Sequence, residues 1–190
     1  MTKSKAQTEN AKICASALRL AAAQGWENVT LDAVAKGAKI SSTIIKKRFA
    51  APHELVAVIV EEISREALAV AGKPSGTAHD ILFDLLMVRF DVLQKNRNAI
   101  LSIAEAARRD VALSRALTRA VLNGLYSVID VAALNTPPRP VLAAGLSAVY
   151  GWAFLAWRRD ESRDMAKTMA ALDRGLRLAG KATEVLKRRF

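Results

Sequence analysis

The chain of 190 residues has few of the residues that build metal centres and disulfides. It contains one cysteine, Cys14, and two histidines, His53 and His79, which lie in different predicted segments. A lone thiol forms no intramolecular disulfide, and these three side chains lack the spacing of a zinc site. The sequence therefore predicts no metal and no cofactor, and it fits a reducing, cytoplasmic environment.

Features typical of enzymes and of membrane proteins are also scarce. The nine glycines are scattered, so there is no glycine-rich phosphate loop. No nucleophile, base and orienting group form a constellation, so we do not expect catalysis and keep an all-α enzyme only as a remote alternative. The uncharged run 141–157 is slightly short for a membrane span and is interrupted by polar residues and glycines. We expect a helix there that is buried in the core or at a subunit interface, with no membrane partner.

The residues that are abundant indicate helices. Hydrophobic residues make up 52% of the chain, and alternation of β-branched residues is scarce. This pattern favours an all-α fold of about nine helices, with three short helices in front and a larger bundle behind. The Pro- and Gly-containing stretches 72–76 and 135–140 are the clearest breaks. Two final helices are predicted at about 140–159 and 162–178.

Positive charge is unevenly distributed along the sequence. The net charge is +11, of which residues 1–50 carry +6, residues 51–157 carry zero and residues 158–190 carry +5. A basic N-terminal segment beside a neutral middle fits a nucleic-acid-binding surface. The alternative is a generally basic protein, and the basic C-terminal tail supports that alternative a little.

The stretch 30–49 predicts two short helices joined by a tight turn. In the first helix, Thr30 is a suitable N-cap and Asp32 adds negative charge to the first turn. Ser41 is expected to cap the second helix. The inner face of that helix is predicted to contain Ile40, Ile44, Ile45 and Phe49. An ordinary helical hairpin with a solvated basic face is the alternative interpretation.

Short polar side chains followed by lysines suit a helix that enters a DNA major groove. Small residues permit close approach, hydroxyl groups bond base edges or phosphates, and cations neutralise the backbone. The predicted contacts are Thr30, Ser41, Ser42, Thr43, Ile44, Lys46, Lys47 and Arg48. Among them, Ser42 and Thr43 would read base edges, and Ile44 would touch a thymine methyl group.

The predicted bundle has enough large apolar residues to line a cavity for an unidentified small, apolar effector. The candidate lining residues are Phe83, Met87, Phe90, Asn123, Tyr126 and Trp152. For each of these residues taken alone, an ordinary place in the core is the simpler interpretation.

Residues from about Ile13 to Ile59 resemble the TetR family of transcriptional regulators. The resemblance rests on a helix that ends at Gly25, the Thr30 helix, the Ser41 helix, and a junction from Phe49 to Leu55. It implies a helix-turn-helix DNA-binding domain over 1–50 and an effector-binding and dimerisation domain over 51–190. It also implies a homodimeric repressor on a palindromic operator of double-stranded DNA, with the last two helices forming the dimer interface.

Three positions depart from the TetR pattern. Lys39 occupies the turn position where glycine is expected, and a left-handed conformation there would cost about 1 kcal/mol unless the turn is reshaped. Lys46 replaces a common tyrosine, and Pro52 replaces a lysine. The departures weaken the case for DNA binding more than the case for the fold.

The C-terminal part has a second resemblance. Tyr150, Trp152 and Trp157, with the segments 160–164 and 172–174, are similar to a motif of ubiquinone-biosynthesis lipid-binding proteins, which share the TetR-type fold. This implies an alternative function, the binding of a lipid or isoprenoid without specific DNA binding. The segment 160–164 also has a structural interpretation, in which Ser162 or Asp160 caps the last helix.

Overall fold

The computed structural model describes residues 2–72, 74–134 and 137–187, with side chains for 6–72, 74–134 and 137–184. Within those ranges the chain forms nine α-helices, two short 3₁₀ helices (Trp26–Asn28 and Pro52–Glu54) and no β-strand. The α-helices are α1 Thr2–Gln24, α2 Leu31–Ala38, α3 Ser42–Arg48, α4 Leu55–Ala71, α5 Ala78–Lys95, α6 Arg97–Ala106, α7 Val111–Val131, α8 Arg139–Trp157 and α9 Ala166–Lys187. The predicted all-α class is confirmed.

The helices group into two compact units. The first contains residues 1–66 and 92–121, and the second contains residues 67–91 and 122–190. By compactness, therefore, residues 51–66 and 92–121 group with the N-terminal helices. The functional division at residue 50 remains a prediction.

In the first unit, α1 packs against α2 and α6. The α1–α2 contact is close because Gly37 has no side chain: a Cβ atom there would overlap the Ser16 hydroxyl group. That hydroxyl donates to the carbonyl oxygen of Val34 at 3.0 Å. The backbone N–H of Trp26 donates to Ser102 Oγ at 2.7 Å and links the loop after α1 to α6. Through these contacts α2 packs on α1, and α3 packs on α2.

In the second unit, α8 packs against α9, and aromatic rings fill the interior. Phe90 and Trp157 are fully buried, and the Phe90 and Tyr150 ring centroids lie 5.2 Å apart. Arg89 is also buried, and its Nε donates to the Tyr150 hydroxyl group at 3.2 Å. The hydrogen bond partly offsets the cost of burying the guanidinium among apolar groups.

Helix α8 is long and apolar enough to cross a membrane by length and composition, which for one helix is weak evidence. Only 33% of its apolar window is buried. Val141, Trp152 and Leu155 are exposed in the single chain, so α8 is not buried within its own subunit at these positions, and burial at a subunit interface stays a prediction. The uncharged sequence conceals this two-sided character because exposed apolar residues replace the charges that usually mark an outer face.

The start of α9 is fixed by the preceding loop. Asp160 is 1% exposed, and its Oδ2 accepts hydrogen bonds from the Thr168 N–H and hydroxyl groups, both at 2.8 Å. Its other oxygen accepts from the N–H and hydroxyl groups of Ser162, while Ser162 Oγ accepts from the N–H of Ala166 at 3.1 Å. The capping prediction is confirmed, although the helix begins at Ala166 and not at Ser162.

Candidate nucleic-acid interface

The two predicted short helices are present as α2 and α3. Thr30 Oγ1 accepts a hydrogen bond from the N–H of Ala33 at 3.2 Å, which confirms the predicted N-cap. Val34, Ala35 and Ala38 are buried. The turn after α2 passes through Lys39 with φ 57° and ψ 41°. The sequence required either a left-handed residue at Lys39 or a reshaped turn, and Lys39 adopts the left-handed conformation.

Helix α3 has seven residues and is about 10 Å long at a rise of 1.5 Å per residue. Ile45 is fully buried and Phe49 is 6% exposed, which fixes the inner face of the segment. Ile44 is 54% exposed, so its predicted place on the inner face is wrong. A rotation of about 100° per residue turns Ile44 outward when Ile45 points inward.

The outward face of α3 combines small, apolar and basic groups. Thr43, Ile44, Lys47 and Arg48 are exposed and follow helical spacing. Among the described residues, Lys47 makes no ion pair, while the Arg48 guanidinium carbon lies 5.0 Å from the Phe49 ring centroid. Ser41 occupies the N-cap position of α3, as predicted, but its side chain makes no capping hydrogen bond. Its exposed hydroxyl group remains available for another partner.

Asp32 holds two of the predicted DNA contacts. Its Oδ2 lies 2.9 Å from Lys46 Nζ, and its Oδ1 accepts a hydrogen bond from the Ser42 hydroxyl group. These interactions, the Ser42 bond first and the Lys46 contact second, lower the pKa of Asp32 below its usual value. Sequence reasoning assigned Asp32 only to the first turn of α2 and missed these partners, because they lie across the turn in α3.

The predicted pocket residues have different surroundings within the second unit. Phe83 lines a cleft with His79 and Asp173, whereas Phe90 is fully buried in the aromatic cluster. Trp152 is 41% exposed, and the Arg174 guanidinium carbon lies 5.8 Å from its ring centroid.

The other three predicted pocket residues also have separate positions. Asn123 is exposed, Met87 is half-buried, and Tyr126 has the guanidinium carbon of Arg139 5.5 Å from its ring centroid. The described cavities do not unite the six predicted residues, and their assignment as one pocket stays a prediction.

The residues of the second resemblance have structural roles. Tyr150 and Trp157 belong to the aromatic interior, and Leu172 is fully buried. Asp160 and Ser162 cap α9. This part of the motif is therefore explained by folding, without reference to a lipid.

Comparison with solved structures identifies the fold. A TetR transcriptional regulator from Nitrosomonas europaea ATCC 19718 is 23% identical, with a TM-score of 0.69 over 90% of this chain and 97% of that chain. A TetR transcriptional regulator from Rhodococcus sp. RHA1 is 15% identical, with a TM-score of 0.69 over 92% of this chain and 97% of that chain. The chain therefore has a TetR-type fold.

A third similar structure was solved with a ligand. Thermus thermophilus FadR, a TetR-family transcriptional repressor in complex with lauroyl-CoA, is 16% identical, with a TM-score of 0.55 over 90% of this chain and 92% of that chain. No family model and no curated protein matches the sequence. At these identities the similarity establishes the fold, and function has to be argued from the residues of this chain.

Proposed function

We propose that the protein is a ligand-responsive, DNA-binding transcriptional regulator whose recognition helix is α3. The observation that carries the proposal is the outward face of α3, with Thr43, Ile44, Lys47 and Arg48 exposed while Ile45 anchors the opposite side. An α-helix with its side chains is about 10–12 Å in diameter, which fits a major groove about 12 Å wide. The charge of +6 over residues 1–50 supplies the electrostatic attraction to phosphates.

The proposed regulator is a homodimeric repressor. Two-fold symmetry would place two copies of α3 in successive major grooves and require a palindromic operator. The exposed side chains of Trp152 and Leu155 on α8, together with Leu178 of α9, support a dimer interface on these last two helices. An effector would act through α4 by favouring one spacing of the two DNA-binding heads over another.

The test of specific binding is selection from a random-duplex library, followed by titrations at low and high salt. Enrichment of a palindromic site that is retained at the higher salt concentration is the expected result. Weak, sequence-independent binding that disappears at modest salt would overturn the proposal, because that behaviour is typical of a generic basic surface. Mass spectrometry of extracted lipid would then test the lipid-binding alternative.

Lys47→Ala tests the position of the interface. Loss of one phosphate contact should weaken binding to all sequences and lower the slope of log affinity against log salt by about 0.9 for each head. Lys167→Ala is the matched control, since Lys167 is an exposed lysine on α9. Equal slopes for Lys47→Ala and the wild type would remove Lys47 from the interface.

A further inference from the structure

The second unit contains an apolar cavity of about 350 Å³ between the start of α5, the end of α7, α8 and α9. Its walls are mainly aliphatic and include Leu82, Ile129, Leu142 and Leu146. The volume lies at the lower end of the range of small-molecule sites. The cavity involves none of the six residues that the sequence suggested as a pocket.

Two exposed glycines line the open side of this cavity. Gly145 of α8 and Gly180 of α9 both line it, and a Cβ atom built at either position would have no neighbour within 4 Å. Gly175 of α9 differs, because a Cβ there would lie 2.9 Å from a Val149 methyl carbon. Close helix packing therefore accounts for Gly175, whereas larger side chains at Gly145 or Gly180 have open space to enter.

An acidic cleft of about 330 Å³ lies next along α9. Its α9 residues Met169 and Asp173 and the cavity residues Leu176, Gly180 and Thr183 follow one helical face, since they recur every three or four positions. From Asp173 to Thr183 this face extends about 15 Å at 1.5 Å per residue. The two spaces are consecutive along one groove of the second unit.

His79 at the start of α5 lines both spaces and joins them. Its Nε2 lies 3.2 Å from Asp173 Oδ1, and its Nδ1 lies 3.5 Å from Asp80 Oδ1. Its ring stacks on Phe83, with the ring centroids 6.3 Å apart. The cavity and the cleft therefore meet at an aromatic and acidic boundary.

The lining residues of the groove include four carboxylates. Asp80, Asp84 and Asp173 line the cleft, Glu184 lines the cavity, and neither set of described lining residues contains lysine or arginine. Asp173 is bonded to Arg177, and Asp80 to Thr77, whereas Asp84 has no partner among the described residues. In a chain with 29 Lys/Arg and 18 Asp/Glu, such a groove opposes anionic ligands and attracts cationic ones.

We infer that this groove binds a single-chain aliphatic amine, with its hydrocarbon chain in the glycine-lined cavity and its ammonium group in the acidic cleft. Burial of the chain supplies a non-directional driving force. The carboxylates and the face of Phe83 favour the cation. The inference gives the effector of the proposed regulator a chemical class. Amine binding itself does not depend on the proposed function, whereas release of DNA on amine binding does.

The test is calorimetric titration of the full chain with decylamine, decanol and decanoate, each below its aggregation concentration. Decylamine should bind most tightly and decanoate at least about tenfold more weakly, a difference equivalent to about 1.4 kcal/mol. Asp84→Asn should weaken decylamine about two- to fivefold, as expected for one exposed charge pair, and leave decanol unchanged. Equal or tighter binding of decanoate would overturn the choice of an amine.

Cavity-filling variants test the location. Gly145→Leu and Gly180→Leu should weaken decylamine about tenfold or more, because the new side chain occupies the space of the hydrocarbon chain. The helices should persist, since leucine has the higher helix propensity. Gly151→Leu on α8 is the matched control, because its Cβ position is also open and the residue does not line the cavity. Unchanged binding in both cavity variants, or an equal loss in the control, would overturn the site.

Two separate readouts distinguish this inference from the proposed function. If decylamine binding follows the expected pattern but library selection yields no operator, the ligand site stands and the regulator does not. If an operator is found but the three ligands or the glycine variants fail the pattern, the regulator stands and the amine site is refuted.

Discussion

Replacement of Asp32 by Asn should increase the affinity of the protein for DNA of any sequence. In the wild type, the Asp32 carboxylate accepts a hydrogen bond from Ser42 and pairs with Lys46 Nζ at 2.9 Å. Asparagine keeps the size of the side chain and an oxygen that accepts from Ser42, but it removes the charge that holds Lys46. The released lysine then becomes available for a phosphate.

The expected magnitude follows from counterion release. One additional phosphate contact steepens the slope of log affinity against log salt by about 0.9, or about 1.8 for a dimer with two heads. Because the pKa of Asp32 is lowered, the carboxylate is charged at neutral pH, so the substitution and not a small pH change is needed to discharge it. Random DNA should gain more affinity than the selected operator, since phosphate contacts carry no sequence information.

The assay is fluorescence anisotropy of a labelled operator and a scrambled duplex over a series of salt concentrations. Four proteins complete a cycle: the wild type, Asp32→Asn, Lys46→Ala and the double variant. The slope should steepen only in Asp32→Asn and return to the wild-type value in the double variant. The Asp32 and Lys46 side chains are both more than half exposed, and exposed ion pairs are weak. Lys46 could therefore leave Asp32 for a phosphate already in the wild type, and the cycle detects that case. A flatter slope in Lys46→Ala alone would show that Lys46 already binds phosphate, and it would refute the reasoning.

Two further predictions concern stability. Asp160→Ala should cost about 2–4 kcal/mol and lower Tm by about 4–16 °C, because buried hydrogen bonds to a charged acceptor are lost. Asp164→Ala is the control, since Asp164 is exposed. Burial raises the pKa of Asp160, but hydrogen bonds from Ser162 and Thr168 outweigh it and hold the pKa at about 2. The free energy of unfolding in urea should therefore include a contribution from Asp160 that is fully present above about pH 4 and is lost as the pH falls through the folded-state pKa. This pH dependence should be absent in Asp160→Ala. Gly37→Ala should lower the free energy of unfolding in urea by about 1–3 kcal/mol, because its Cβ meets Ser16. Gly151→Ala is the control and should be neutral or stabilising, since its Cβ position is open. Equal effects of the two substitutions would contradict the packing argument.

Local rules predicted the helix starts well. Thr30 was expected to cap a helix, and its side chain accepts a hydrogen bond from the backbone N–H three residues later. Thr77 and Asp110 accept the same bond at the starts of α5 and α7. A cap depends on residues that are adjacent in sequence, so its chemistry is visible there. Lys39 likewise had to be left-handed or lie in a reshaped turn, and its φ of 57° selects the first option.

Contacts between elements were less visible. Ile44 was placed inward because Ile40, Ile44 and Ile45 are all apolar, and a short helix offers too few residues for periodicity to choose among them. The tertiary packing of Ile45 made that choice, leaving Ile44 54% exposed. The Asp32 contacts arose in the same way, since the turn at Lys39 brings the start of α2 to Ser42 and Lys46 of α3.

The proposed ligand site also depends on contacts between helices that the sequence does not show. Sequence reasoning selected large aromatic residues as a pocket, yet Phe90 fills the interior and makes close ring contacts with Tyr150 and Trp157. Open volume is instead found where side chains are small, at Gly145 and Gly180 on two different helices. Because a cavity is defined by the absence of atoms where several helices meet, it leaves no pattern in any single helix. An open Cβ position indicates ligand volume only where neighbouring helices enclose it, since the Cβ position of Gly151 is equally open although Gly151 lines no described cavity.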